Sequence, residues 1–249
     1  MLDRVAGSPV EQVFETARKA HPAQALQATC LLATGRDGFL AGACHAVHRS
    51  GAPLVALSNT PVEVVIRDTE QEPGIACFDL VLSQLEPRAP QAIPPQVHTL
   101  VVALRAGLLA RTMDLAFLHL QDRESLGQKT LHHQLVKARF SDTSAFLSQL
   151  RRELAVVGSE GIVDSPGRLH NAIDTHLLHC AKLMGGHGLR DAAVHGLEYL
   201  SVLIRATLAS QQGTLTLPLI ESPKHIVELK DACSSAVRIG FKLESGVKC

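Results

Sequence analysis

Apolar residues recur along this chain in two rhythms, and the rhythm changes near residue 90. From about 24 to 85 the runs are short and rich in Val, Leu and Ile. "QALQATCLLAT", "PLVALS", "PVEVVIRD" and "GIACFDLVLS" read as strands. Val62, Val64 and Ile66 alternate with Glu63, Val65 and Arg67, a period of two. The separators "GRDGF", "SGAP" and "EQEPG" carry turn chemistry. "LAGACHAVHR" fits either rhythm, with a short helix as one reading, and residues 2–20 read as one short helix.

"EPRAPQAIPPQ" (86–96) then brings four prolines in eleven residues. Proline removes backbone donors and disfavours helix at the residue before it, so a boundary is expected here. Beyond it the period is helical. Val97, Val101, Leu104, Leu108, Leu115 and Leu118 share one face, and Leu131, Leu135, Ala138, Phe146, Leu150, Leu154 and Val157 another. Leu169, Ile173, Leu177, Cys180 and Met184 form a third stripe. Leu189, Ala193, Leu197, Leu200, Ile204 and Leu208 form a fourth, and Ile226, Leu229, Cys233 and Val237 a C-terminal one. Ser165-Pro166 and Ser222-Pro223 each set a capping hydroxyl before a first-turn proline. The expected architecture is mainly α: a helix remnant (1–22), a small β-rich domain (23–92) and an antiparallel helical bundle (93–249).

Composition narrows the function. With 46% apolar residues in 249, the chain can bury a core. Lys+Arg and Asp+Glu are both 24, which gives no surplus positive charge for nucleic acid or an acidic membrane surface. Aromatics are 3% with no Trp, which argues against a base-stacking platform. No run of about 20 apolar residues offers a membrane span. The six cysteines form no CxxC pair, and the start lacks a signal-peptide profile, so a cytoplasmic protein with free thiols is expected.

Several clusters invite chemistry. His176, His179 and Cys180 share a helix at metal-compatible spacing, but no Glu-x-x-His pair accompanies them, so they read as ordinary positions on a packed helix. Cys44, His45 and His48 read the same way. His132 and His133 point about 100° apart on a helix, a poor chelate. No nucleophile elbow, phosphate-binding P-loop or GxGxxG after a strand is present. In "LQDRESLGQKTLHHQ" (120–134), Arg123, Gly127 and Gln134 sit at the turn between the first two bundle helices. An arginine there can meet a pyrophosphate bidentately, or can simply complement a helix end that Gly127 terminates. "LMGGHGLRD" (183–191) is on its own a turn between helices.

Together these pieces resemble the C-terminal helical domain of acyl-CoA dehydrogenases over about 97–214. That family ends its first bundle helix in an R-x-x-F-G turn, followed by a Gln that opens the second helix. "RESLG" is similar, with Leu126 in place of Phe, and Gln134 falls at the Gln. The family's Q-x-x-G-G-x-G turn is similar to "KLMGGHG", with Gly185, Gly186 and Gly188 matched and Lys182 in place of Gln. The resemblance implies a four-helix bundle preceded by the family's middle β domain, with FAD bound at a subunit interface. It implies that Arg123 meets the pyrophosphate, that Gln134 lies near the adenosine, and that Gly185 and Gly186 let backbone approach the cofactor.

Two departures bear on activity. The family's base is a Glu after the last bundle helix, and here Gln212 stands at that place in "SQQGT". A neutral amide cannot take the α-proton of an acyl-CoA. Where other branches place the base, near the start of the first bundle helix, this chain has Val97-His98. Only residues 1–22 remain for the family's N-terminal helical domain. The expected protein is an acyl-CoA dehydrogenase-like flavoprotein, a shortened or non-catalytic subunit. It would act as a homo-oligomer or with a longer acyl-CoA dehydrogenase subunit. The alternative is a degenerate homologue serving as a binding or scaffold module without flavin chemistry.

Overall fold

The structure, a computed structural model, describes residues 7–57, 64–86, 93–160, 166–185 and 192–209. All of them fall in one compact unit, Met1–Leu215, and the second unit, Thr216–Cys249, lies outside the described residues. Ser222-Pro223 and the C-terminal stripe belong to that second unit.

Helix α1 (Pro9–Lys19) starts where Ser8 accepts a hydrogen bond from the Glu11 N–H at 3.2 Å and Pro9 presets the first turn. Helix α2 (Pro22–Thr34) follows and ends on Gly35 at φ +69°. It corrects the strand reading of "QALQATCLLAT". Ala25, Leu26, Thr29 and Cys30 are buried while Leu31 is exposed, a helical distribution in a run whose lack of charge hid its polar face.

Strands β1 (Phe39–Ala41), β2 (His45–His48), β3 (Leu54–Ala56), β4 (Ile66–Glu70) and β5 (Val81–Leu85) form one sheet in the order β3-β1-β2-β5-β4. Only the β1–β3 pair is parallel. "LAGACHAVHR" is therefore not a helix but β1, a turn and β2, with Ala41 opposite Ala46. "GIACFDLVLS" is split: Pro73–Ala76 is a single helical turn, α3, and only Val81 onward is strand. β4 lies at the sheet edge with all five residues exposed and a bulge between Ile66 and Asp68, so the period-two pattern there does not mark a buried face.

Four long helices follow: α4 (Pro95–Leu120), α5 (Gln134–Glu160), α6 (Pro166–Leu183) and α7 (Ala192–Leu208). The expected fold class is what the structure shows, a helical bundle preceded by a small β-sheet. α4 is its axis, packed by α1, α2, α5, α6 and α7. From Leu100 to Ala110 every residue of α4 is buried, so the one-sided face expected for it is in fact an all-round one. At its end the pattern fails differently, for Leu118 is 58% exposed. Gly107 lets α1 lie against α4: a Cβ there would stand 2.4 Å from the Phe14 carbonyl oxygen and 2.6 Å from the Ala17 Cβ. Arg18 also clamps Asp114 with Nε and Nη2 at 2.7 and 3.0 Å. On α6 the expected stripe holds throughout, since Leu169, Ile173, Leu177, Cys180 and Met184 are all buried.

Candidate functional site

The segment between α4 and α5 folds as a small hairpin. α4 stops at Leu120, whose carbonyl accepts the Arg123 N–H at 3.2 Å. Strands β6 (Glu124–Ser125) and β7 (Gln128–Lys129) then pair antiparallel, Glu124 with Lys129 and Ser125 with Gln128. The two residues at the tip, Leu126 (φ +53°) and Gly127 (φ +76°), are both left-handed, the geometry of a two-residue type I′ turn. Gly127 is therefore a hairpin residue and not the cap that ends α4, which stops at Leu120. The Thr130 N–H closes the base of the hairpin on the Arg123 carbonyl at 2.7 Å.

His133 latches this hairpin to α5. Its Nε2 lies 3.1 Å from the Ser125 carbonyl oxygen, which can only accept, so the ring proton is on Nε2. Nδ1 is then free to accept from the Gln128 amide at 3.0 Å. Gln134, the next residue and the first of α5, is exposed. Arg123 is exposed as well, and its Nη1 donates to His119 Nε2 at 2.6 Å, one turn back on α4. The hairpin thus joins Arg123 and Gln134 through a hydrogen-bonded scaffold.

The glycine turn lies at the same end of the bundle. Ala116 of α4, Ala181 of α6, Met184 just past α6 and Val194 of α7 form one small core cluster, with Phe140 of α5 packed against it. Phe117 meets Phe140 edge to face at 5.9 Å. Gly185 follows Met184 at φ +58°, and its N–H bonds to the Lys182 carbonyl at 3.0 Å, a left-handed helix stop. Gly186, Gly188 and Gln212 lie outside the described residues.

These groups bear on a dinucleotide in two ways. Among the described residues no carboxylate is ion-paired with Arg123, so guanidinium donors remain for a diphosphate. A Cβ on Gly185 would meet nothing within 4 Å, so its turn conformation, not crowding within this chain, accounts for the glycine. One exposed guanidinium without a carboxylate partner is chemically suited to a diphosphate, and Gly185 by itself does not make a cradle. The same end exposes Leu126 (93%), Leu135 (83%) and Phe117 (48%). Leu135 and Ala138 were expected on the buried stripe of α5, but Ala138 too is exposed.

The histidine clusters are built into the packing. His176 stacks on Phe146 at 4.4 Å between centroids, and its Nδ1 lies 3.1 Å from Thr143 Oγ1. Burial pushes the Cys180 thiol up to about 11, which leaves it unreactive. His48 bonds through Nδ1 to the Arg49 carbonyl at 2.6 Å and through Nε2 to the buried Ser83 hydroxyl at 2.8 Å. His98 is held below its usual range by burial and is neutral at pH 7.

A polar layer inside the bundle has no counterpart in the sequence reading. Arg105 of α4 is completely buried and reaches His170 and Asp174 of α6 and Ser201 of α7. Asp174 also pairs with Arg205 of α7. The available signal was an arginine inside "VVALRAGLLA", where no polar face exists to carry it to solvent.

No protein-family model matches the chain, and no curated protein matches it in sequence. Solved structures do match in fold. FkbI, for biosynthesis of the methoxymalonyl extender unit of the Fk520 polyketide, superposes with a TM-score of 0.54 at 12% identity, covering 93% of this chain and 87% of that one. The ChsE4-ChsE5 complex from Mycobacterium tuberculosis gives 0.52 at 11% identity, covering 94% and 81%. An acyl-CoA dehydrogenase from Slackia heliotrinireducens gives 0.50 at 13% identity, covering 90% and 82%. The fold is thus similar to that of these solved structures, one of them an acyl-CoA dehydrogenase. Among the described residues, no helix is long and apolar enough to cross a membrane.

Proposed function

We propose that this chain is a flavin-binding subunit of acyl-CoA dehydrogenase type that does not complete the reaction alone. The observation that carries the reading is the hairpin at one end of the bundle. Arg123, exposed and without a carboxylate partner among the described residues, enters this hairpin, and exposed Gln134 opens α5 just after it. Arg123 would hold the FAD pyrophosphate, Gln134 the adenosine side, and the Gly185-Gly186 turn would border it. FAD, when bound, supplies the two-electron acceptor for α,β-oxidation of an acyl-CoA thioester.

This chain's own residues do not offer a carboxylate base at the two places the fold family uses. Gln212 is a neutral amide and His98 is a half-buried imidazole. A longer acyl-CoA dehydrogenase subunit would supply the base, and one of the structures of similar fold, ChsE4-ChsE5, is a two-component complex. The alternative, a binding or scaffold module without flavin chemistry, is favoured by Gln212 and by the uncrowded Gly185.

The test is purification of the full chain with its bound partners, followed by a visible absorbance spectrum and an acyl-CoA oxidation assay with an artificial electron acceptor. The proposal expects flavin in the complex and little turnover by the isolated chain. A chain that binds no FAD, alone or with every copurifying protein, leaves only the scaffold reading.

A further inference from the structure

Three neighbouring strands of the sheet carry a continuous line of polar side chains from a sealed imidazole to the surface. The register of β4 on β5 sets Thr69 opposite Ser83, and that of β5 on β2 sets Ser83 opposite Ala46. Ala46 and His48 share a face of β2, so the three polar side chains meet on one face of the sheet. His48 Nε2 lies 2.8 Å from Ser83 Oγ, and Ser83 Oγ lies 2.7 Å from Thr69 Oγ1. His48 and Ser83 are buried, whereas Thr69 is exposed at the sheet edge.

The proton positions follow from one backbone group. His48 Nδ1 is 2.6 Å from the Arg49 carbonyl oxygen, which only accepts, so Nδ1 carries the ring proton and Nε2 a lone pair. Ser83 therefore donates its one hydroxyl proton to Nε2. With that proton spent, Ser83 accepts from Thr69. The line runs from donor to acceptor, Thr69 to Ser83 to His48. Burial holds the imidazole below its ordinary range, so it is neutral at pH 7. The ionisable neighbours are His45 and Arg49 along β2, Arg67, Asp68 and Glu70 on β4, and Arg205 on α7, which is engaged by Asp174 and Asn171 of α6. Strands β1 and β5, on either side of β2, carry none.

A nucleophile does not fit this arrangement. Ser83 is sealed from any substrate, and the Thr69 N–H, which could steady an oxyanion, is spent on the Asp68 carboxylate at 2.8 Å. We propose instead that Thr69 and Ser83 are a proton relay through which the sealed His48 exchanges its proton with solvent while the sheet stays closed. On uptake, a solvent proton joins Thr69 Oγ1, the Thr69 proton passes to Ser83 Oγ, and the Ser83 proton passes to His48 Nε2. One proton enters, each hydroxyl gains one O–H bond as it loses one, and an N–H bond forms. All three groups stay hydrogen-bonded, but the direction reverses. His48 now donates to Ser83, Ser83 donates to Thr69, and Thr69 turns its proton to solvent. The edge of the sheet thus offers solvent an acceptor when His48 is neutral and a donor when it is charged. The relay stands independently of the flavin reading.

The test is NMR of the His48 ring in the full chain across a pH titration, in wild type, Thr69→Val and Thr69→Ser. Valine fills the space of threonine without its hydroxyl, and position 69 is exposed, so both variants should fold. The wild-type ring is expected in the Nδ1–H form at pH 7. It should titrate as one averaged signal, because relayed exchange outpaces opening of the sheet. Thr69→Val is expected to split that signal into separate neutral and charged ones, and Thr69→Ser to restore the average. A purely structural Thr69 would shift stability and leave the exchange regime alone. An Nε2–H ring at pH 7, an averaged signal that survives in Thr69→Val, or a wild-type ring that does not titrate before the chain unfolds overturns the proposal.

Discussion

Acid should destabilise this protein through His170 more than through any exposed histidine. The folded chain holds the ring neutral down to about pH 3, because it is buried and because Arg105 and Arg205 lie beside it. The unfolded chain takes up a proton near the ordinary value of about 6.5. Between those values the unfolded state binds more protons, so stability falls as pH falls; above about 6.5 the group contributes no slope. The full slope is about 1.4 kcal/mol per pH unit, reached below pH 6. Going from pH 7 to pH 5, His170 alone should remove about 2 kcal/mol. The comparison is with His170→Gln, whose amide still accepts from Arg105 but does not titrate. Burial also lowers His45, His48, His98 and His176, and these affect both proteins alike. Urea unfolding at pH 7 and pH 5 reads the difference. Wild type should lose about 2 kcal/mol more than the variant. Equal losses would mean that His170 is not held neutral by its surroundings, and the polar layer described above would be wrong.

Arg105→Met should cost about 3–5 kcal/mol, because it breaks a buried pair and orphans His170 Nδ1; the midpoint of urea unfolding checks this. Gly107→Val should destabilise by about 1–3 kcal/mol or more, since the new side chain meets the Phe14 carbonyl, whereas Gly167→Val, with open space around it, should not show that clash; thermal unfolding separates the two. Leu126→Asn should raise stability by a few tenths to about 1 kcal/mol, as asparagine tolerates the left-handed turn position better than leucine does, and differential scanning calorimetry reads the shift.

What the sequence made legible depends on how each element is covered. α6 has one buried face and one polar face, so its stripe could be read residue by residue. α2 was misread because "ATCLLA" offers no charge to reveal the helical period. α4 was found as a helix but not as the axis, since burial on every side flattens the periodicity that reports a face. The Arg123–Gly127 stretch was legible as a turn, yet its hairpin form was not. The helix ends before Arg123, and a leucine at a type I′ position is a poor advertisement for that turn. His133 was weighed as a ligand when its work is to latch the hairpin. Arg105 leaves no mark on an apolar stripe, because its charge stands among α4 positions that are buried on every side.

The central claim is that the hairpin end of the bundle receives FAD, and it is tested most directly by titrating FAD into the full chain with its copurified partner, as wild type and as Arg123→Gln. Arg123 is exposed and bears no core packing, so the variant should fold as the wild type does. The account predicts binding by the wild type, with the shifted visible bands of a protein-bound flavin, and at least tenfold weaker binding by the variant, the loss of one charge-assisted contact of about 1.4 kcal/mol or more. Equal FAD affinity in the two proteins, or no binding by the wild type, would contradict it.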